Sequence, residues 1–200
     1  MQIPSNVTFL TADSREVKPG ALFCAVKGVN RDGAEYIEQA VAQGAVAILS
    51  RPGVKVPEGV VHLMAENDRL AVAKLAAQFY RPQPENVVAV TGTDGKTSTA
   101  DFFRQLMELS GQKAASLGTL GLKSTTLQVD APVLNTSPDP IVLHRVLRQV
   151  AKQGGHYLAV EASSHGLHQY RLHGLELSAA AFTNLGRDHL DYHTGIEDYF

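Results

Sequence analysis

One stretch restricts the fold of this chain more than any other: Val87-Val88-Ala89-Val90-Thr91-Gly92-Thr93-Asp94-Gly95-Lys96-Thr97-Ser98. A short, mostly β-branched apolar run reads as a buried strand, two glycines permit a tight turn, and an amphipathic stretch follows. Strand, glycine turn and helix in this order form a nest whose backbone N–H groups point inward, and the helix N-terminus adds partial positive charge. Such a nest suits phosphate oxygens. Lys96 is expected to reach the β and γ phosphates of ATP, and Thr97 to put its hydroxyl on Mg²⁺. The backbone and side chains of Gly92, Thr93, Asp94, Gly95, Lys96, Thr97 and Ser98 are the candidate ATP site. The loop is a shortened variant, because only Thr93 and Asp94 separate Gly92 from Gly95. The plain alternative is a surface turn that happens to contain Gly-Lys-Thr. The flanking strand and helix favour the phosphate reading.

A loop of this kind sits at the head of a parallel strand, so the remainder should alternate strand and helix. It does. Residues 22–26, 46–49 and 60–64 read as strands, 34–43 as a helix stopped by Gly44, and Asn67-Asp68 as the cap of a helix through Gln78. Arg81-Pro82-Gln83-Pro84 cannot continue a helix or join a central strand. A domain boundary is placed there, giving residues 1–83 and 84–200. Beyond it come a strand at 87–91, a helix at 96–109, a strand at 113–117, an irregular stretch at 119–134, a helix from Pro138-Asp139 to Gln153, and strands at 157–161 and 177–182. The fold class is α/β: a small N-terminal α/β domain, then a partial, doubly wound, mostly parallel phosphate-loop domain. Residues 196–200 read as a helix start, which suggests a piece of a longer protein.

Charge excludes several partners. The formal net charge is -2 with 19% charged residues, so neither a basic nucleic-acid face nor an acidic tail is supported. No apolar run approaches the roughly 18 residues that cross a membrane, and the opening residues lack a secretory pattern. Cys24, alone in an apolar run, reads as a buried thiol of a cytoplasmic protein.

Glu161 ends an apolar strand, where carboxylates of parallel sheets face the ligand crevice; it could hold Mg²⁺ or be a solvated strand end. Seven of the eight histidines lie from His144 onward. His189 and His193 have helical spacing, but Leu190 stands where a zinc protease needs its general-base Glu. No guanine-binding Asn-Lys-x-Asp occurs, so adenine is preferred.

Asp13-Ser14-Arg15, Pro19-Gly20-Ala21-Leu22-Phe23-Cys24-Ala25-Val26-Lys27-Gly28, Asp32-Gly33, the phosphate loop, Asn135-Thr136-Ser137-Pro138, Glu161-Ala162-Ser163-Ser164-His165-Gly166-Leu167 and Thr183-Asn184-Leu185-Gly186-Arg187-Asp188-His189-Leu190-Asp191-Tyr192-His193 follow in order. Together they resemble the Mur ligases of bacterial peptidoglycan synthesis, most closely the MurE type, which adds the third residue of the stem peptide. The resemblance implies an ATP-dependent amide ligase working through an acyl phosphate. Its partners are UDP-N-acetylmuramoyl-dipeptide and an amino acid, and a monomer is expected. It implies Lys96, Glu161 and His189 as catalytic residues, and Thr97, Glu161 and His189 around Mg²⁺. It implies substrate contacts at Ala12, Ser14, Val29, Asn30 and Arg31, and at Asn135, Thr136, Ser137, Ser163, Gln169 and Arg171. Asp94 stands where Asn is commoner in the family, and Ser137 where a second Thr is usual. The lysine that the family carbamylates for a second metal is not among these residues, so the chain alone is expected to be inactive. Another Mur ligase, a folylpolyglutamate-synthetase-like enzyme, or a nucleotide-binding module without turnover are the alternatives.

Overall fold

The structure is a computed structural model that describes residues 1–28, 31–129, 131, 135–186 and 195. Among them no helix is long and apolar enough to cross a membrane. The chain divides into two units, Met1–Phe79 and Tyr80–Phe200.

In the first unit, β1 (Phe9–Thr11), β2 (Ala21–Cys24), α1 (Ile37–Ala42), β3 (Ala45–Ser50), β4 (Val61–Met64) and α2 (Asp68–Phe79) follow one another. The strands form one parallel sheet in the order β1-β2-β3-β4. Ala21, Leu22, Phe23 and Cys24 are all buried, as a central strand covered on both faces requires. Cys24 is 1% exposed, the buried thiol expected. The strand β1 was not foreseen, because three residues are too few to show a period. The helix expected at 34–43 begins instead as a 3-10 turn at Gly33–Tyr36, since Asp32 accepts the Ala34 N–H at 3.0 Å and tightens the entry.

The second unit holds β5 (Asn86–Thr91), α3 (Lys96–Leu109), β6 (Ala114–Gly118), β7 (Gly121–Lys123), α4 (Pro140–Lys152), β8 (Tyr157–Glu161), α5 (Ser164–His168) and β9 (Ala179–Phe182). The sheet order is β7-β6-β8-β5-β9, parallel except for β7, which runs antiparallel to β6. Alternate residues of β5 face opposite layers. Val87 and Ala89 join Leu143, Leu147 and Val150 of α4, while Val90 packs with Ala100 of α3. Each fully buried leucine contributes roughly 1.5–3 kcal/mol of apolar burial. The register pairs Val90 with Glu161 and Thr91 with Phe182. The C-terminal ends of three strands therefore open at one edge, and that edge carries the loop.

The stretch expected to be irregular is ordered in part. β6 and β7 form a hairpin, and the turn after β7 is tied to α3. Glu108 accepts the Thr125 N–H at 2.7 Å and the Ser124 hydroxyl at 3.2 Å, while pairing with the buried Arg104. A three-residue strand joined by polar side chains leaves no hydrophobic period to read.

His144 of α4 is 3% exposed, and its Nε2 lies 3.2 Å from the His173 carbonyl. Burial pushes its pKa down to about 4. The unfolded chain takes up this proton near pH 6.5, whereas the folded one resists it until about 4. Stability from the neutral ring is complete above pH 6.5 and is lost as pH falls toward 4, by roughly 3 kcal/mol at the limit. His144→Leu should flatten the fall of the thermal midpoint between pH 7 and pH 4.5. An unchanged slope in the variant would assign the acid sensitivity elsewhere.

Candidate active site

Gly95 caps α3 in the left-handed region, with φ +83 and ψ -3. That conformation turns the chain from the loop into the helix at little steric cost to glycine. No acidic side chain of α3 itself occupies its first turn. Lys96 folds back across the loop, its Nζ donating to the Gly92 carbonyl at 2.6 Å and the Thr93 carbonyl at 2.9 Å. The ammonium is thus held against the carbonyls of the loop rather than trailing into solvent.

Thr97, one residue on, donates its hydroxyl to Glu161 Oε2 at 2.9 Å. Glu161 is 2% exposed at the end of β8. The reading of it as a solvated strand end is excluded. Thr119 meets the same carboxylate twice, with its N–H donating to Oε1 at 3.1 Å and its hydroxyl to Oε2 at 3.2 Å. Gly118 makes this approach possible, because a Cβ there would lie 1.9 Å from Glu161 Oε1. The Thr119 hydroxyl is also 2.9 Å from that of Thr136. Thr119 and Gly118 were missed as site residues. Thr119 directly follows the end of β6, so the strand-end rule that singled out Glu161 applies to it equally.

Magnesium suits this donor set. A buried carboxylate whose described partners are all uncharged is short of a cation, and a neighbouring hydroxyl with bound waters completes what Mg²⁺ prefers. Among the described residues no three His, Cys, Asp or Glu side chains converge on a metal position. His189, Val29 and Asn30 lie outside the described residues, as does His193. His165 and His168 sit on α5.

The segments after β7 and β8 meet beside Glu161. Ser137 is fully buried; its hydroxyl donates to the Glu161 carbonyl at 2.9 Å, accepts the Ser163 N–H at 2.9 Å and lies 3.0 Å from the Ser163 hydroxyl. It is a staple between two loops, with its hydroxyl already committed. Ser163 caps α5 by accepting the Gly166 N–H at 3.1 Å. Arg171 donates to the Ser137 carbonyl at 2.9 Å and to Gln169 Oε1 at 2.8 Å. Tyr170 between them has φ 58, an uncommon conformation outside glycine, and it brings the Gln169 and Arg171 side chains together. Asn135, two residues before Ser137, is exposed, and Thr136 is half-buried.

In the first unit, Ala12, Ser14 and Arg31 line one cleft of about 370 Å³, with Phe23, Gly28 and Tyr36. Asp13 caps the turn that presents Ser14 and binds Arg15 at 2.6 Å. Lys27 and Asp32 bridge the base of the segment leading to Arg31. The Arg51 guanidinium, bonded to both Asp32 oxygens at 3.0 and 2.5 Å, holds that carboxyl down to about 2 and fixes the base.

Residues 90–200 match the Mur ligase middle domain, and residues 6–83 match the Mur ligase family, catalytic domain. A relative from Agrobacterium fabrum named UDP-N-acetylmuramoyl-L-alanyl-D-glutamate--2,6-diaminopimelate ligase is 51% identical over 190 residues, 95% of this chain and 38% of that protein. A protein of the same name from Caulobacter vibrioides is 47% identical over 195 residues, 95% of this chain and 40% of that protein. A solved structure of a ligase of that name superposes with a TM-score of 0.83 at 30% identity, covering 100% of this chain and 41% of the other. The MurF ligase from Thermotoga maritima in complex with ADP shares the fold, with a TM-score of 0.66 at 24% identity over 98% of this chain and 42% of that one. The chain spans about two fifths of the length of the curated relatives it matches.

Proposed function

The chain belongs to the Mur ligase family, and from that premise we propose that it supplies the nucleotide-sugar-binding and ATP-binding parts of an ATP-dependent ligase. The reaction joins 2,6-diaminopimelate to UDP-N-acetylmuramoyl-L-alanyl-D-glutamate, as the names of its relatives state for them. The observation that carries the proposal is the contact between the Thr97 hydroxyl and the buried Glu161 carboxylate at the head of the loop. A structural turn has no use for a buried carboxylate at that point, whereas a phosphoryl-transfer site does.

In the proposed chemistry, an oxygen of the D-glutamyl side-chain carboxylate bonds to the γ-phosphorus as the bond to ADP breaks. The amine of diaminopimelate then attacks the acyl carbon, the C–N bond forms, the C–O bond to phosphate breaks, and the ammonium proton is lost. Lys96 neutralises oxygens of the phosphoryl group in flight, and the loop N–H groups hold the remaining phosphates. Magnesium held by Thr97 and Glu161, with His189 as the resemblance implies, would supply further charge neutralisation. Thr119 keeps the Glu161 carboxylate in place. Asn135, Thr136, Ser163, Gln169 and Arg171 form the polar surface for the muramoyl peptide, where the planar guanidinium suits a carboxylate or diphosphate. Ser137 shapes that surface from beneath. Ala12, Ser14 and Arg31, with Val29 and Asn30, take the uridine diphosphate end. A reaction that consumes ATP belongs in the cytoplasm.

A chimera tests this directly. These 200 residues would replace the matching part of the Agrobacterium fabrum relative. ADP release is expected only when UDP-N-acetylmuramoyl-L-Ala-D-Glu, diaminopimelate and Mg²⁺ are all present. A folded chimera that binds ATP but releases no ADP above background would reduce the chain to a nucleotide-binding module.

A further inference from the structure

Past Phe182 the chain does not leave the sheet at once. It runs on beside the phosphate loop and extends the parallel pairing of β9 with β5 into the turn. The Thr183 N–H donates to the Thr91 carbonyl at 2.9 Å, and the Thr93 N–H donates to the Asn184 carbonyl at 3.0 Å. Side chains then take over from the backbone. The Thr183 hydroxyl lies 3.1 Å from the Thr91 carbonyl and 2.6 Å from the Asp94 carbonyl. The Asn184 carboxamide meets both backbone groups of Asp94, accepting its N–H at 3.0 Å and donating to its carbonyl at 3.3 Å. The Gly186 N–H closes the strap by donating to the Thr93 hydroxyl at 2.8 Å.

This strap also explains a glycine. Gly92 has φ +125, and a Cβ there would lie 2.1 Å from the Thr183 hydroxyl oxygen and 2.9 Å from the Asn184 carbonyl oxygen. The first loop glycine is therefore required by the strap, independently of how closely a phosphate approaches.

We infer that Asn184 is a positioning residue of the phosphate loop: its carboxamide stands in for a strand partner of Asp94 and so sets the turn that aims Gly95, Lys96 and the start of α3. The inference rests on the phosphate-loop reading proposed above. Asp94 lies in the bend three residues past the end of β5, beyond the reach of the ladder with β9, which ends at Phe182. A primary amide carries a donor and an acceptor side by side, matching the N–H and carbonyl that one extended residue offers to its neighbour. Locking Asp94 in place limits the conformations of the loop before any ligand arrives, and preorganisation of that kind shows in ligand affinity.

Two substitutions separate positioning from simple support. Asn184→Ala removes both carboxamide bonds to Asp94 and leaves the Thr183 hydroxyl on the Asp94 carbonyl. Asn184→Asp keeps the size and an acceptor for the N–H, but turns a second oxygen toward the Asp94 carbonyl. Each would be made in the 200-residue chain, with Mg·ATP and Mg·pyrophosphate as probes in titration calorimetry and with thermal unfolding followed in parallel. Asn184→Ala is expected to weaken both probes by the same factor, roughly threefold to tenfold for two lost neutral hydrogen bonds. Its unfolding midpoint should stay near that of the wild type, since Asn184 is exposed. Asn184→Asp should weaken both probes further still. A purely supporting role lowers the unfolding midpoint of Asn184→Ala with little change in either affinity, and that pattern overturns the inference. So does wild-type affinity in a folded Asn184→Ala. A wild-type chain that is folded yet binds neither probe overturns the phosphate-loop reading itself, and this inference with it.

Discussion

Lys96→Ala in the 200-residue chain is expected to weaken Mg·ATP binding by roughly 10- to 100-fold, the range for losing a charge-assisted bond to phosphate. The fold should survive, because among the described residues Lys96 bonds the Gly92 and Thr93 carbonyls of its own loop and belongs to neither core layer of the second unit. Circular dichroism and a thermal melt establish the fold, and calorimetry gives the affinity. The loss should be larger for ATP than for AMP, since an ammonium folded over the turn addresses the outer phosphates. Equal affinities for ATP in the two folded proteins would remove Lys96 from the site and leave the loop as a structural turn.

Gly118→Ala is the second large effect, and it follows from the tertiary structure alone. The added methyl would stand 1.9 Å from Glu161 Oε1 and 2.2 Å from Cδ. Gly118 ends β6, which is paired on both sides by β7 and β8, so the backbone cannot retreat. The carboxylate has to turn away, giving up its bonds to Thr97 and Thr119. Overpacking of this sort costs about 1–3 kcal/mol, and in a chain of this size each kcal/mol moves the unfolding midpoint by roughly 2–4 °C. Function should suffer more than stability. The gain in nucleotide affinity on adding Mg²⁺ should disappear, because Thr97 and Glu161 no longer share one position. Retention of that gain in Gly118→Ala would show that the metal is held elsewhere.

How far such effects could be foreseen differs by element. The strand, turn and helix of the loop were legible because each depends on local sequence: β-branched residues at 87, 88 and 90, glycines at 92 and 95, and an amphipathic run after Lys96. Cys24 and the buried strand around it were legible for the same reason. Three features escaped. β1 and β7 have three residues each, too short to show alternation, and β7 exists because β6 and the Glu108 network offer it partners. Thr119 escaped because its role consists of two bonds to a residue 42 positions away. Ser137 was identified by its place in a motif, but only packing shows that its hydroxyl is already committed to Glu161 and Ser163.

By itself, the sequence determined the α/β class, the strand, glycine turn and helix at 87–109 and the family, because these rest on local periodicity, on backbone freedom at a few glycines and on the order of short motifs. Tertiary structure decided what Glu161 is. Its position at a strand end allowed either a solvated carboxylate or a buried one. The register of β5 against β8, the missing side chain at Gly118 and the hydroxyls of Thr97 and Thr119 settled it as buried and bonded. The strap of Thr183 and Asn184 over the loop was decided in the same way. Hydrogen bonds between residues about 90 positions apart depend on which strands become neighbours, and no local pattern encodes that choice.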